Sequence, residues 1–257
     1  MGDGWRYERK YLLEPTEGGV LAATLSAVMA TDGHARPMLP DGGPPRLRPA
    51  CGYNVRSLYF DDDEGHGLRD KLDGVDERFR YRIRIYDGND GAIRFEKKTR
   101  RGDRVRKESA WLTRGQTARI LGGDPDGWLE TPSGGPLSPL CLEAYAAARV
   151  GALRPAVVVD YLREPFVYPV GSVRITLDTR IRCFLPPRAT SVDAFFDPAP
   201  SGWPVLAEEE TVLEVKSDGA LPAFLRELLP NAGPLPTSFS KYAICRVGSP
   251  NGPDVAL

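Results

Sequence analysis

The sequence predicts an α+β fold: a closed antiparallel β-barrel forming a tunnel with a cationic lumen, surrounded by helices. Three observations predict it. Period-two alternation recurs at Arg82/Arg84, Glu96/Lys98, Arg174/Asp178 and Glu214/Lys216, a strand signal spread over the chain. The polar faces of these runs are dominated by Arg and Lys, whereas a solvated face would mix the signs. Amphipathic helical segments are interleaved with them. Closing the sheet removes its edges and aims alternate residues of every strand into one lumen. The apolar faces are then left to pack outward against the helices.

Taken in order, Trp5 to Leu13 reads as a strand. Pro15 to Met29 reads as a helix, with Val20, Leu21, Leu25 and Val28 at helical spacing. Residues 31–50 are rich in Gly, Pro, Asp and Arg and read as a flexible loop. Tyr53 to Phe60 is a second strand. From Arg78 the alternation is strict: Arg78, Arg80, Arg82 and Arg84 share one face, and Phe79, Tyr81, Ile83 and Ile85 the other. Asp87-Gly88-Asn89-Asp90-Gly91 supplies turn chemistry, and Arg94 to Lys98 returns as the hairpin partner. Arg104 to Leu112 continues the sheet and carries Lys107. Helices are expected at Arg114 to Leu121 and at Ser138 to Val150, with Ser138 as N-cap and Pro139 as first helical residue. Ala156 to Arg163, Ser172 to Leu185 and Thr211 to Lys216 are further strands. Leu221 to Leu229 reads as a short helix, and Ser240 to Val247 as a final helix or strand. A single domain over 5–247 is expected, with 248–257 a disordered tail.

Net charge is −1, from 34 Lys and Arg against 35 Asp and Glu. With no global basic excess, general nucleic-acid or anionic-membrane binding is disfavoured. No apolar stretch approaches the ~18 residues needed to span a bilayer. The polar start carries no signal-peptide pattern, so a cytoplasmic protein is expected. Cys51, Cys141, Cys183 and Cys245 form no C-x-x-C pair and read as free thiols in a reducing compartment. His34 and His66 lie among glycines and are given no chemical role.

A lumen crowded with cations repels itself and calls for a polyanionic ligand. Forked guanidinium groups suit bidentate contacts to phosphate oxygens. Glu8 and Glu214, on the same faces, would be poor phosphate ligands. They suit Mg²⁺ or Mn²⁺, or else ion-pair with a neighbouring Arg. A P-loop is absent, and no Ser-His-Asp set or reactive Cys is evident.

The motifs now align with a known family. They are Tyr7-Glu8-Arg9-Lys10-Tyr11, Val55-Arg56-Ser57-Leu58-Tyr59-Phe60-Asp61, and Lys71-Leu72-Asp73-Gly74 leading into the Arg78–Arg84 run. They continue with Phe95-Glu96-Lys97-Lys98, Val105-Arg106-Lys107, Tyr161-Leu162-Arg163 and Val173-Arg174-Ile175-Thr176-Leu177-Asp178. Leu213-Glu214-Val215-Lys216 and Phe239-Ser240-Lys241-Tyr242 complete the series. From about Arg6 to Arg246 the chain resembles the VTC (vacuolar transporter chaperone) domain, a member of the triphosphate tunnel metalloenzyme superfamily, in a bacterial, stand-alone form.

The resemblance implies a polyphosphate polymerase that uses ATP, polyphosphate or triphosphate, and a divalent ion, Mn²⁺ or Mg²⁺. Lys10, Arg82, Arg84, Lys98, Lys107, Arg163, Arg174, Lys216 and Lys241 fall on the family's phosphate-binding positions, and Tyr161 and Ser240 on its polar contacts. Arg80 and Lys71 are further candidates for cofactor binding. Glu214 falls on the metal ligand. Arg6 occupies the first of two Glu positions in the superfamily's N-terminal signature, which leaves Glu8. Ser238 stands where many members carry Lys. An inorganic or nucleoside triphosphatase and a non-catalytic polyphosphate-binding module are the alternatives. A separate membrane or regulatory protein is a possible partner.

Overall fold

Unpaired strand edges expose backbone donors and acceptors, and here every long strand pairs on both sides. A computed structural model describes residues 4–38, 50–131, 134–184, 193–197, 202–208, 210–229 and 239–248. The chain begins with β1 (Arg6–Leu13), α1 (Pro15–Val28), β2 (Ala30–Thr31), β3 (Arg36–Pro37), β4 (Cys51–Asp61) and α2 (His66–Leu72). It continues through β5 (Glu77–Tyr86), β6 (Asn89–Arg101), β7 (Arg104–Leu112), α3 (Arg114–Leu121) and α4 (Pro139–Arg149). β8 (Arg154–Tyr168), β9 (Val173–Phe184), α5 (Asp193–Phe196), β10 (Trp203–Pro204), β11 (Thr211–Ser217), α6 (Ala223–Leu228) and α7 (Lys241–Val247) follow. A short 3₁₀ turn at Pro125–Leu129 lies between α3 and α4.

Around the barrel the order is β9-β11-β1-β7-β6-β5-β4-β8, and β8 pairs back onto β9. All eight contacts are antiparallel, so the sheet has closed. The β5–β6 hairpin shows how local chemistry sets register. Tyr86 pairs with Asn89 across a two-residue turn, with Asp87 at φ 51° and Gly88 at φ 66°. Positive φ at both central positions matches the strand twist, and Asp-Gly tolerates it.

The outward faces are buried by helices, as the alternation requires. Ile83, Ile85, Ile93 and Phe95 pack with Ile120 and Leu121 of α3, Leu140 and Ala144 of α4, and Trp128. On the other flank Ile175, Leu177, Leu213 and Val215 pack against Leu21 and Leu25 of α1. Each such side chain contributes about 1.5–3 kcal/mol on full burial. The apolar face of α1 is narrower than its spacing suggested. Leu21 and Leu25 are buried, whereas Val20 and Val28 are exposed. Gly18 turns toward the barrel instead, where a Cβ would lie 2.4 Å from Thr211 Oγ1. Only a glycine permits that approach.

Two features escape period-two reasoning. In β9, Arg180 takes φ 54° at a bulge against β8. The extra residue changes which side chains point inward. Arg174, Thr176 and Asp178 share one side before it; Ile181 and Cys183 join the interior apolar cluster after it. That cluster also holds Val157 and Val159 of β8 and Tyr242, Ala243 and Cys245 of α7. The final segment, open between helix and strand in the sequence, is therefore a helix packed on the barrel's inner wall. Residues 31–38, within the stretch read as a loop, include Thr31 paired with Phe166 and Arg36–Pro37 paired with β4. Positions 39–49 and the tail beyond Gly248 lie outside the described residues. No helix among the described residues is long and apolar enough to cross a membrane.

Candidate functional site

Inside the barrel is a cavity of about 100 Å³ that opens to solvent. β1 supplies Glu8 and Lys10, β5 supplies Arg80, Arg82 and Arg84, and β6 supplies Lys98. Tyr161 and Arg163 enter from β8, and Glu214 and Lys216 from β11. Ser240 and Lys241 arrive at the start of α7, and Lys71 from α2. Strand parity accounts for the first ten, since residues two apart share a face. Register then brings them level: Glu8 faces Lys216, Lys10 faces Glu214, and Arg80 faces Lys98.

Four of the buried carboxylates, Glu8, Glu214, Glu96 and Asp178, hold most of these cations in place. Lys98 Nζ donates to both Glu8 oxygens, at 2.6 and 2.7 Å. Lys10 Nζ is 3.5 Å from Glu8, and Lys216 Nζ 3.7 Å. Burial and the Glu214 charge push the Glu8 carboxyl up, but Lys98, Lys10 and Lys216 outweigh them and hold it at about 2. Glu214 pairs with Lys216, and its Oε2 lies farther from Lys10 (3.8 Å) and Arg163 (3.9 Å). Burial opposes its ionisation too, yet Lys216, Lys10 and Lys98 keep it well below the carboxylate range. The alternative of ion pairing is thus met mainly by Lys rather than Arg.

Glu96 accepts from Arg82 Nε at 2.7 Å and Nη2 at 2.6 Å, and from Lys107 at 2.9 Å. Asp178, fully buried, accepts from Arg163 Nε and Nη2 at 2.8 Å each and from Lys241 at 2.7 Å. The last contact ties α7 to the barrel wall. Arg84 differs from its neighbours. Its Nε donates to Ser57 Oγ at 3.0 Å and its Nη2 to the Tyr161 hydroxyl at 3.3 Å, with no carboxylate partner among the described residues.

Two expected residues are not brought into the cavity lining. Lys107 faces Lys98 across β6 and β7, but its half-exposed side chain reaches only Glu96. Arg174 is held by Asp32 at 2.8 Å and the Tyr53 hydroxyl at 2.7 Å. Ser238 lies outside the described residues. The lining also includes Tyr59, Arg78, Phe79, Arg100, Phe239 and Tyr242, which sequence reasoning left out. For Arg78 and Arg100 the signal was available, because they extend the inward parities of β5 and β6. Tyr59, whose hydroxyl accepts from Arg82 Nη1 at 3.1 Å, gave no such signal.

No group of three or more His, Cys, Asp or Glu suited to a metal occurs among the described residues. The carboxylates lining the cavity are Glu8 and Glu214. Mg²⁺ is commonly held by one or two carboxylates plus substrate phosphates, so this donor set fits a divalent ion completed by ligand oxygens. Glu214 is the better placed, since both Glu8 oxygens are taken by Lys98 while Glu214 Oε2 is only loosely engaged.

Eight antiparallel strands close on themselves into a barrel, with charged side chains from several strands turned toward one cavity. The VTC domain family model matches residues 5–247, and the chain belongs to that family. A Hippeastrum protein described as a candidate adenylyl cyclase with a dominant triphosphatase activity has a similar fold. It is 14% identical with a TM-score of 0.50, over 95% of each chain. A protein described as a candidate adenylate cyclase from Bacillus halodurans is also 14% identical, with a TM-score of 0.44 over 84% of this chain and 83% of its own. No curated protein matches the sequence.

Proposed function

We propose that the protein is a polyphosphate polymerase, transferring the terminal phosphate of ATP onto a growing polyphosphate chain inside the barrel. The observation that carries this reading is the convergence of Lys10, Arg82, Arg84, Lys98, Arg163 and Lys216 on one cavity beside Glu8 and Glu214. Phosphoryl transfer asks for positioning and charge neutralisation more than for covalent chemistry by the protein. A terminal oxygen of the acceptor chain attacks the γ-phosphorus. The bond from that phosphorus to the β–γ bridging oxygen breaks, and ADP leaves with the electron pair. The acceptor oxygen is already anionic at neutral pH, so no general base is required.

The carboxylates behind the cations give them fixed positions before a ligand arrives. Glu96 orients the Arg82 guanidinium and Asp178 that of Arg163, which lowers the ordering cost of binding. Arg84, without a carboxylate partner among the described residues, keeps guanidinium donors for phosphate oxygens. Ser240, Tyr161 and Lys241 would contact the chain beside α7. A bound Mn²⁺ or Mg²⁺ on Glu214, with Glu8 behind it, would neutralise phosphate charge and polarise the reacting phosphorus. The setting is the cytoplasm, where ATP is supplied, with export left to a separate membrane or regulatory partner.

A second reading, hydrolysis of inorganic or nucleoside triphosphate, uses the same groups with water as acceptor. The triphosphatase activity named for the Hippeastrum protein favours it. Incubation with ATP and Mn²⁺ decides between them, using a gel stained for polyphosphate and an assay for free phosphate. A ladder with ADP release is expected. Free phosphate without chains makes the protein a triphosphatase. Tight polyphosphate binding without turnover leaves a binding module.

A further inference from the structure

Apart from Arg84, which is held by the Ser57 and Tyr161 hydroxyls, the cations of the cavity fall into two groups of different electrostatic character. In the centre, Lys10, Arg82, Lys98, Arg163, Lys216 and Lys241 each lie within ion-pairing distance of a carboxylate. At the end where β5 begins and β6 finishes, Lys71, Arg78, Arg80 and Arg100 also line the cavity, and none makes an ion pair among the described residues. Arg78 and Arg100 are direct cross-strand partners. Like charges placed opposite each other destabilise a sheet.

The polar contacts of this group go to neutral acceptors. Arg100 Nε donates to the Gly102 carbonyl at 2.7 Å, and Arg78 to the Val75 carbonyl. Arg80 donates to Ser240 Oγ at 3.1 Å and the Gly67 carbonyl at 3.3 Å, and stacks on Tyr242 with its Cζ 4.5 Å from the ring centroid. Its Nε is buried without a partner. Carboxylates nearby are committed elsewhere: Asp61 accepts from the Gly67 and Leu68 amides and the Tyr242 hydroxyl, and Asp76 from the Gly102 amide. Asp70 and Asp76 act on Arg78 only at a distance. The uncompensated field is felt by Lys71. Burial, then Arg78, Arg80 and Arg100, pull its ammonium down to about 8.

Four cations held together without counter-charge are costly unless an anion joins them. A triphosphate settled against Arg84 and the carboxylate-paired cations of the centre would leave this group unmatched. We propose that Arg78 and Arg100, with Lys71 and Arg80 behind them, form a separate mouth subsite that binds the outer phosphates of a chain longer than triphosphate. The subsite thereby sets chain-length preference. The inference rests on the reading of the cavity as a polyphosphate site and adds to it a division of labour. The centre handles the reacting phosphates, and the mouth holds the rest of the chain.

The test is equilibrium binding rather than turnover. Tripolyphosphate and a long-chain polyphosphate are titrated separately into the unaltered protein and into the Arg78→Gln, Arg100→Gln double variant. Long-chain affinity is expected to fall about tenfold, the equivalent of roughly 1.4 kcal/mol. Tripolyphosphate affinity stays the same, and the melting temperature holds or rises as repulsion is relieved. An equal loss for both ligands, or for neither, overturns the subsite while leaving the central site intact. Failure of the unaltered protein to bind either ligand instead overturns the reading of the cavity, and the subsite with it.

Discussion

Arg82 and Arg84 look equivalent in the alternating sequence, yet the structure gives their removal opposite consequences. Arg82 is the buried partner of Glu96, which is 1% exposed and has the half-exposed Lys107 as its other ion-pair partner among the described residues. Arg82→Met strands that carboxylate in the barrel wall. Breaking a buried pair from one side costs about 3–5 kcal/mol. At roughly 2–4 °C per kcal/mol for a chain of this size, the melting temperature falls by about 6–20 °C. Arg84 donates to two hydroxyls and sits beside Arg82 without a carboxylate of its own. Arg84→Met loses those bonds but relieves repulsion, so its cost is about 0–1 kcal/mol. Both variants should lose triphosphate affinity.

The assay is thermal unfolding with and without tripolyphosphate, repeated at two pH values. Glu96 in the intact protein is held far below the carboxylate range, because Arg82, Arg84 and Lys107 outweigh its burial. That stabilisation is present above the unfolded carboxylate pKa and is lost only as pH falls through the lowered folded value. Without Arg82, the charge that does most to offset burial is gone, and the carboxyl moves upward from its lowered value. The Arg82→Met deficit should therefore shrink as pH drops from 7 towards 5, as the stranded group takes up a proton. Equal melting temperatures for the two variants, or a deficit indifferent to pH, would refute this account of the pair.

Three further outcomes are expected. Glu214→Gln should cut Mn²⁺-dependent turnover about a hundredfold, the scale of losing one charge-stabilising group; a titration of activity against Mn²⁺ checks it, and full activity would place the ion elsewhere. Asp178→Asn removes the counter-charge that Arg163 and Lys241 share, leaving Arg163 only the more distant Glu214, and should cost about 3–5 kcal/mol in chemical denaturation at neutral pH. Added tripolyphosphate should recover part of that loss by binding the folded state. Gly18→Ala drives a Cβ to 2.4 Å from Thr211 Oγ1 and should cost about 1–3 kcal/mol despite alanine's better helix propensity. Thr211→Ala in the same chain should restore the melting temperature; no recovery would locate the strain elsewhere.

Much of this protein was legible from its residues in order. Period-two patterning is local, so β5 with its hairpin turn, β7 and the inward sets Arg80/Arg82/Arg84 and Glu214/Lys216 could be read directly. The same parity extended to Arg78 and Arg100. Closure of the barrel followed from the need to hide charged faces and strand edges together. What the sequence left undetermined depends on residues far apart in the chain. Pairing between β8 and β9 decides that Asp178 meets Arg163, and the seating of α7 decides that Lys241 joins them. The bulge at Arg180 reverses the inward parity of β9, which no alternation rule anticipates. Lys107 and Arg174 have the residue type and parity of cavity cations. Glu96 holds the first, and Asp32 and Tyr53 the second, so neither lines the cavity. A strand's period fixes which way a side chain points, whereas its charge partner is fixed only when distant strands come into register.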